Sequence, residues 1–488
     1  MNILPELDEI KRLAEKGNYN AVPVSCEILS DFTTPIETMK ILKNISTHCY
    51  MLESAQANDK WGRYTFLGFD PKMAVSCVDG ELKAGNLTMK TDHPSDYLRQ
   101  ILADYKSPRF DYLPSFTGGL VGYFSFDYFG YSEPAARCGA EDTDCFKDMD
   151  LMLFDKVIAF DHVRQKIILI VNMSLAEPET EYKRAVEALN RLAELLKNGK
   201  KKKEPAGRLT GEAEPLFDRK HYCEMVEKAK RYIREGDIFQ IVLSNRFSAG
   251  FEGSLLNTYR VLRTMNPSPY MFYFSGTDVE VAGASPETLV KLENGILHTF
   301  PLAGTRPRGK TEAEDQILEA ELLADEKELA EHNMLVDLGR NDLGKISKFG
   351  TVQVEKLHSV EKFSHVMHIG STVRGEIGEK YDGLDAIEAV LPAGTLSGAP
   401  KIRACQLIGE LENNKRGIYG GAIGYIDFTG NMDTCIAIRI AYQKNGKVFV
   451  RSGAGIVADS VAEKEYEECI NKAKAVLNAL KLAEEVEV

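Results

Sequence analysis

Residues 451–472 read RSGAGIVADSVAEKEYEECINK, and this segment predicts a glycine-rich turn followed by a charged helix. At about 100° per residue, Glu465, Glu468 and Lys472 fall in one stripe of that helix. An apolar stripe lies beside it and consists of Tyr466, Cys469, Ala473, Val476 and Leu480. Two carboxylates and an ammonium on a core-facing edge suit a site for a metal ion and an anion. The alternative is an exposed helix with a Glu468–Lys472 pair.

A second segment also predicts a helix with two glutamates on one face. Residues 311–338 read TEAEDQILEAELLADEKELAEHNMLVDL and predict a helix with Glu328, Glu331, His332 and Leu335 on one face. Each Glu-x-x-Glu pair alone is weak, because Glu is a good helix former. Two such pairs on two helices can give oxygen ligands to one hard cation, and Mg²⁺ takes few protein carboxylates and keeps positions for water and substrate. Together the two segments predict a Mg²⁺ site.

The composition is that of an ordinary globular protein. The 488 residues are too many for one small core and predict two or three lobes. A net charge of −13 argues against nucleic acid or an anionic membrane as the main partner. No signal-peptide core or 18-residue apolar run occurs, and the nine scattered cysteines include no CxxC pair. We therefore expect a soluble, cytoplasmic protein with reduced thiols.

The pattern along the chain predicts an α/β (α+β) fold with a smaller N-terminal lobe. The early part reads as short strands, including Tyr64–Gly68 and a hairpin of 156–160 with 166–172, followed by a helix at Glu181–Lys197. Residues 198–215, NGKKKKEPAGRLTGEAEP, are almost without apolar side chains and predict a linker. A helix at His221–Glu235 and a strand at Phe239–Phe247 then begin a series of alternating elements. The predicted domains are a regulatory lobe at 1–197, the linker at 198–215 and a catalytic domain at 216–488.

Nine ordered motifs run through the second half of the chain. They are IFQIVLSNRF (238–247), ASPETLV (284–290), PLAGTRPRG (301–309), ADEKELAEHNMLVDLGRNDLG (324–344), HVMHIGSTVRG (365–375), LPAGTLSGAPKIRA (391–404), RGIYGGAIGYID (416–427), AIRIAYQ (437–443) and the GAG turn with its helix. This set resembles the chorismate-utilising enzymes, most closely the large subunits of anthranilate synthases. The resemblance implies antiparallel sheets packed as a sandwich with flanking helices. It also implies chorismate as substrate, a dicarboxylate with an enolpyruvyl ether and a ring hydroxyl.

The resemblance assigns binding roles to residues of this chain. Glu331 and Glu468 would be direct Mg²⁺ ligands, supported through water by Glu328 and Glu465, and the metal would hold the ring carboxylate. Arg439 would take the enolpyruvyl carboxylate, a task that suits an arginine fork. The other substrate contacts implied by the resemblance are the backbone amides of Gly453 and Gly455, with Tyr419, Lys472, Thr305 and Gln240.

The reaction needs an acid at the departing ring hydroxyl and a base for the ring proton lost on aromatisation. By resemblance, Glu287 is the acid and His368 is associated with pyruvate elimination. Thr395 completes the catalytic set through its hydroxyl. A lone histidine is otherwise more often structural, and threonines beside glycines are often turn residues.

Two positions separate branches of the family. Aminodeoxychorismate synthases typically carry a nucleophilic lysine in PIKGT, where this chain reads PLAGT and Ala303 cannot form a covalent adduct. Isochorismate and salicylate synthases place a water-activating lysine where Gln240 stands, and an amide is no general base. The resemblance then implies ammonia as the nucleophile and anthranilate, the first product of tryptophan biosynthesis. Aminodeoxychorismate synthase component I, of the folate pathway, is the alternative.

The ammonia is expected to come from another chain. No glutaminase-type G-x-C-x-G elbow occurs in the sequence. The resemblance implies a separate glutamine amidotransferase subunit, component II, in a heterotetramer of two synthase and two amidotransferase subunits.

A regulatory pocket for L-tryptophan is implied by two further segments, YMLESAQ (50–56) and NPSPYMFY (266–273). By resemblance its residues are Glu53, Ser54, Pro269, Tyr270, Met271, Ile423, Tyr425, Gly430, Asp433 and Cys435. Glu53 and Ser54 would bind the polar groups of the ligand, and the apolar members would hold the indole. Inhibition requires that the pocket exist preferentially in a less active arrangement. Plain packing between lobes is one alternative, and a catalytically inactive tryptophan-sensing subunit is another.

Overall fold

The fold consists of two large antiparallel sheets with flanking helices. It is given by a computed structural model that describes residues 2–54, 62–137, 139–363 and 366–486. The first sheet has 14 strands, β1 Ile3–Leu4, β2 Ala21–Leu29, β3 Cys49–Glu53, β4 Tyr64–Phe69, β10 Lys156–Asp161, β11 Lys166–Ser174, β12 Arg208–Leu209, β13 Glu214–Pro215, β14 Gln240–Glu252, β15 Tyr270–Ser275, β16 Glu280–Ser285, β22 Gly398–Ala399, β25 Ile440–Lys444 and β26 Lys447–Ile456. Its main path runs β1-β2-β11-β10-β4-β3-β15-β16-β25-β26-β14-β12.

The second sheet has 12 strands, β5 Met73–Val78, β6 Glu81–Ala84, β7 Leu87–Lys90, β8 Gly119–Phe124, β9 Met149–Phe154, β17 Thr288–Glu293, β18 Ile296–Thr299, β19 Leu302–Pro307, β20 Gln353–Lys362, β21 Val366–Glu376, β23 Ala422–Asp427 and β24 Met432–Ile436. Its main path runs β19-β21-β18-β17-β24-β23-β8-β9-β5-β6-β7. The α-helices are α1 Leu7–Lys16, α2 Pro35–Ile45, α3 Pro94–Asp104, α4 Phe129–Ser132, α5 Pro178–Asn198, α6 Arg219–Glu235, α7 Leu256–Met265, α8 Glu312–Ala324, α9 Glu326–Gly344, α10 Gly383–Val390, α11 Lys401–Glu412 and α12 Ala462–Leu482.

The two sheets pack face to face over an aromatic core. Tyr50 of the first sheet and Phe154 of the second have ring centroids 4.7 Å apart, and Phe66 and Tyr425 make a similar contact at 6.1 Å. These rings belong to one buried cluster that draws on both sheets. The predicted sandwich of antiparallel sheets with flanking helices is thus confirmed.

Both halves of the chain build both sheets. Strand β3 pairs with β15, and β8 pairs with β23. The predicted linker also pairs with the later chain, because β12 and β13 each align with β14. The division at 198–215 stays a prediction, and strand pairing crosses it at several points.

Most of the predicted elements are present, with two differences that concern the site. The predicted apolar stripe of α12 is buried, as expected for Cys469, Val476 and their neighbours. The segment 311–338 is not one helix, because Asp325 interrupts it and its carboxylate accepts the N–H groups of Lys327 and Glu328 to cap α9. The predicted glycine-rich turn at 451–455 lies within strand β26.

Candidate active site

A cavity of about 970 Å³ opens between β14, β26, α9 and α12. Every residue predicted for the metal, the substrate or catalysis lines it. They are Gln240, Glu287, Thr305, Glu328, Glu331, His368, Thr395, Tyr419, Arg439, Gly453, Gly455, Glu465, Glu468 and Lys472. The structure brings these side chains from distant segments to one place, and their individual roles stay predictions.

The acidic residues of α9 and α12 face one another across the cavity. Burial raises the pKa of Glu331, and the charges of Glu328 on its own helix and Glu468 on the other helix raise it further. Burial also raises the pKa of Glu465, with Glu468 again contributing. Repelling carboxylates in a half-buried site are a donor set that fits a hard divalent cation.

Cationic side chains hold two of these carboxylates in the structure. Glu468 Oε1 lies 2.7 Å from Lys472 Nζ, and Glu328 Oε1 lies 3.4 Å from Arg306 Nη1. Across the described residues, no three His, Cys, Asp or Glu side chains are close enough together to form a metal site. The chemistry of the set fits Mg²⁺, and direct binding by Glu331 and Glu468 would require Glu468 to leave Lys472 and the two carboxylates to draw together.

The glycines of β26 present unpaired backbone to the cavity. Gly453 and Gly455 align with Ser244 and Val242 of β14. The N–H of Val242 donates instead to Ser397 O at 2.9 Å, and that of Ser244 to Glu412 Oε1 at 2.7 Å. These are therefore non-hydrogen-bonded pairs, in which the facing residues also turn their N–H groups away from the partner strand.

The other edge of β26 is open at this point. Strand β25 pairs with β26 only over 447–450, so beyond Val450 no strand of the described residues lies beside this edge. Lys472 Nζ donates to Gly453 O at 3.0 Å, which confirms that this edge faces α12. A Cβ at Gly453 would lie 3.0 Å from the Tyr419 hydroxyl, so the backbone is approached closely here. Such an edge suits an anion.

Arg439 joins β24 to β25 and points its guanidinium into the same cavity. Its backbone has a φ of 54°, a left-handed conformation that is costly for a residue with a side chain. Burial lowers the pKa of Arg439, although a guanidinium stays charged at any ordinary pH. In the part of the chain that the structure describes, no carboxylate pairs with it. A partly buried, strained arginine with no carboxylate partner among the described residues is typical of an anion-binding site.

Glu287 is placed to act as an acid. It is buried, and burial raises its pKa to about 8, against the opposing effects of Thr395 and Lys472. Thr395 Oγ1 donates to Glu287 Oε1 at 3.1 Å. At neutral pH the carboxyl group is therefore mostly protonated and can donate a proton.

His368 is placed to act as a base. Its Nδ1 lies 2.8 Å from Gly304 O and 3.1 Å from Thr305 Oγ1. A carbonyl oxygen only accepts, so Nδ1 carries the proton and Nε2 has a free lone pair. Burial lowers the pKa of His368, as do the charges of Arg439 and Lys472. The ring is therefore neutral at pH 7.

The comparisons with known proteins agree with this geometry. The family model described as chorismate binding enzyme matches residues 47–478. Anthranilate synthase component 1 of Acetivibrio thermocellus is 44% identical over 500 residues, with 99% of each chain covered. The chain belongs to the anthranilate synthase component 1 branch of the chorismate-binding enzymes. The protein of that name from Aquifex aeolicus is also 44% identical, over 496 residues and with 99% of each chain covered.

One solved structure supports the same family and a more distant one supports the fold. The crystal structure of anthranilate synthase component I from Streptococcus pneumoniae is 39% identical, with a TM-score of 0.78 over 92% of this chain and 98% of that one. The menaquinone-specific isochorismate synthase of Escherichia coli is 20% identical, with a TM-score of 0.69 over 97% of this chain and 98% of that one, and shares the fold. None of the helices described here is long and apolar enough to cross a bilayer.

Most of the residues predicted to bind tryptophan line a second, smaller cavity of about 110 Å³ between the two sheets. The predicted residues that line it are Glu53, Ser54, Pro269, Tyr270, Met271, Ile423, Tyr425, Asp433 and Cys435. Gly430 does not line it and lies in the turn between β23 and β24, with a φ of 88°. Ala55 and Gln56, also quoted for this element, are outside the described residues.

The polar groups of this pocket already have partners. Glu53 accepts hydrogen bonds from Tyr259 and from Arg263, whose Nη2 lies 3.0 Å from Glu53 Oε2. Tyr270 donates to Asp433 Oδ1 at 2.8 Å. The volume is below the roughly 150 Å³ of a cavity that holds benzene. Binding of the indole ring of tryptophan therefore requires the pocket to widen. The ammonium group of tryptophan has to compete with Arg263 for Glu53.

The sequence patterns missed three charged residues behind the main cavity, Glu412, Arg416 and Arg451, which are all fully buried. Arg451 opens the very motif that predicts the site. A signal was available, because an arginine just before SGAG interrupts an otherwise apolar run, VFVRSGAGIV. Buried charges are rare and are usually paired.

Proposed function

We propose that this chain is the synthase subunit of an anthranilate synthase, converting chorismate and ammonia to anthranilate and pyruvate in tryptophan biosynthesis. The observation that carries the proposal is the single cavity that combines four carboxylates, an unpaired arginine beside open strand amides, a protonated buried acid and a neutral histidine. Each part matches one demand of a dicarboxylate substrate that loses a hydroxyl, a proton and an enolpyruvyl group.

The two carboxylates of the substrate would bind at opposite ends of the cavity. Arg439 and the amides of Gly453 and Gly455 would hold the enolpyruvyl carboxylate by charge-assisted hydrogen bonds. Mg²⁺ held by Glu331 and Glu468 would supply the positive charge that the ring carboxylate needs among acidic side chains. Lys472 lies between the two ends. Its ammonium group would contact the substrate once it has left Glu468.

Two proton transfers fall to the side chains of this chain. Glu287 would protonate the ring hydroxyl, so that the C–O bond breaks and water leaves while ammonia forms the new C–N bond next to the ring carboxylate. Nε2 of His368 would then take the ring proton as the enolpyruvyl C–O bond breaks and the ring becomes aromatic. The leaving group is the enolate of pyruvate, which becomes pyruvate by taking up one proton at its methylene carbon. Ala303 and Gln240 supply no competing nucleophile or water-activating base.

The ammonia would come from glutamine through a separate amidotransferase, as the component 1 names of the relatives suggest. We propose a heterotetramer of two synthase and two amidotransferase subunits in the cytoplasm. The net charge of −13 argues against nucleic acid or an anionic membrane as a further partner.

We also propose feedback inhibition by L-tryptophan at the smaller pocket. The pocket lies between β3 and β15 of one sheet and β23 and β24 of the other, so widening it moves the sheets against each other. Glu53→Gln is expected to weaken inhibition, whereas Glu27→Gln, at the exposed end of β2, should leave it unchanged.

The direct test is fluorescence of anthranilate formed from chorismate, ammonium and Mg²⁺ without any partner. We expect product with the wild-type chain and with Glu463→Gln, and none with Glu468→Gln, although both changes remove one charge from α12. Formation of 4-amino-4-deoxychorismate would place the chain in the folate branch instead. Tryptophan binding without any turnover would identify it as an inactive sensing subunit.

A further inference from the structure

A cluster of three buried charges lies behind the cavity wall. Glu412 Oε1 is 2.6 Å from Arg416 Nη2, and Glu412 Oε2 is 2.8 Å from Arg451 Nη2. Their side chains are at most 1% exposed. Burial opposes ionisation of Glu412, but the two guanidinium groups outweigh it and lower the pKa of Glu412. None of the three has a role in the mechanism above.

Arg416 fastens two segments that carry site residues. Its Nη1 donates to Leu396 O at 2.6 Å, and its Nη2 donates to Val242 O at 2.8 Å. Leu396 follows Thr395, the hydrogen-bond donor to Glu287. Val242 lies two residues after Gln240 and aligns with Gly455. One guanidinium thus joins the Thr395 segment to the strand beside the open glycine edge.

Glu412 and Arg451 set the orientation of the same strand. Glu412 Oε1 accepts the N–H of Ser244 at 2.7 Å and its hydroxyl at 3.0 Å. Arg451 Nε donates to Ser244 Oγ at 2.8 Å. Ser244 and Gly453 form a non-hydrogen-bonded pair, so the Ser244 N–H points away from β26, and Glu412 satisfies it there. Through Arg451, a residue of β26, the same carboxylate ties β14 to β26 and so supports the register in which the Gly453 amide faces the cavity.

We infer that the Glu412–Arg416–Arg451 cluster is a positioning element of the catalytic site, which fixes Thr395 against Glu287 and supports the strand register that presents the glycine amides of β26 to the substrate. The inference rests on the proposed function for its kinetic readout. It predicts that these residues act on proton donation through Thr395, without touching the substrate. Because no other described side chain donates to Glu287, the protonation of Glu287 reports on the cluster.

The test compares Arg416→Met with Thr395→Ala and with a matched control, Lys43→Met. Lys43 is also buried between carboxylates, Glu204 at 2.8 Å and Glu280 at 3.2 Å, but it does not line the main cavity. Each variant is assayed with ammonium and Mg²⁺ for kcat, KM and the alkaline limb of the pH profile, after correction for the folded fraction.

We expect Arg416→Met to lower kcat at least 10-fold and to move the alkaline limb upward by about 1 to 2 pH units, as Thr395→Ala does. The double variant should move it no further. Lys43→Met should leave both quantities unchanged even where it lowers the melting temperature. An unmoved limb in Arg416→Met, or an equal movement in Lys43→Met, would overturn the inference.

Two measurements keep the outcome decisive. If Arg416→Met does not fold, Arg416→Lys keeps the charge but cannot bond both carbonyl groups, and we expect a smaller movement of the limb in the same direction. Calorimetric binding of chorismate in Mg²⁺ is measured in parallel, with at least a 10-fold loss expected for Arg416→Met and none for Lys43→Met. A wild-type chain that binds chorismate without turning it over refutes the proposed function, while the binding result still decides the inference.

Discussion

Replacing Thr395 with alanine tests whether Glu287 is the proton donor. The change removes the hydroxyl that donates to Glu287 Oε1 at 3.1 Å and leaves the burial of the carboxyl group unchanged. This hydroxyl stabilises the carboxylate form, so its loss raises the pKa of Glu287 above its present value of about 8. The acid form then persists to higher pH, and the alkaline limb of kcat/KM moves upward.

The size of the movement follows from the strength of the bond. A hydrogen bond to a charged group contributes about 1.5–3 kcal/mol, and each pKa unit corresponds to about 1.4 kcal/mol. We therefore expect a movement of about 1 to 2 pH units. Activity on the neutral plateau should fall as well, because the hydroxyl also orients the acid.

The assay is anthranilate formation with saturating ammonium and Mg²⁺ over pH 6.5 to 9.5. Dividing variant by wild-type rates at each pH cancels the changing fraction of unprotonated ammonia. We expect this ratio to rise with pH for Thr395→Ala and to stay flat for Thr395→Ser, which keeps the hydroxyl. A flat or falling ratio for Thr395→Ala would refute the assignment of Glu287 as the acid.

Three further changes give signed predictions. The free energy of unfolding of Glu287→Gln relative to wild type should grow by up to about 4 kcal/mol between pH 4.5 and pH 8, because in the wild type the unfolded chain loses the Glu287 proton in this range while the folded protein keeps it. Urea unfolding at both pH values measures this, and a constant difference contradicts it. Arg439→Gly should keep or raise the melting temperature, because glycine accepts the left-handed backbone conformation at this position. The same change should lower kcat/KM about 100-fold or more. A lower melting temperature with normal kinetics would contradict this prediction. Glu331→Gln should abolish calorimetric binding of Mg²⁺, with Glu463→Gln as the control on the other helix; equal binding by both would exclude Glu331 as a ligand.

Helical spacing predicted the acidic faces of α9 and α12, and the resemblance to chorismate-utilising enzymes supplied the other residues of the cavity, but neither gave their whole setting. The two stripes of α12 could be read from spacing, because a helix fixes which side chains share a face. The end of α8 could not be read from propensity, since LADEKEL is rich in helix formers. Its signal was Asp325 followed three residues later by Glu328, the pattern of a helix start.

The glycine edge and the buried cluster depend on contacts that no local pattern contains. Glycine is rare in strands, so 451–455 reads as a turn. Only the register of β26 against β14, with Glu412 holding Ser244, shows why an extended conformation is stable there. The sharing of both sheets by the two halves is non-local in the same way, and the composition of 198–215 gives no sign of it.

The strand pairs β3–β15 and β8–β23 have a practical consequence for anyone who cuts this chain in two. A fragment ending near residue 200 would expose long apolar strand edges, and so would its complement, so each alone is expected to aggregate. When the two fragments are produced together, the same strand edges are expected to pair and to reassemble the protein. Fusing two test proteins to the fragments would make return of enzyme activity a reporter of their association.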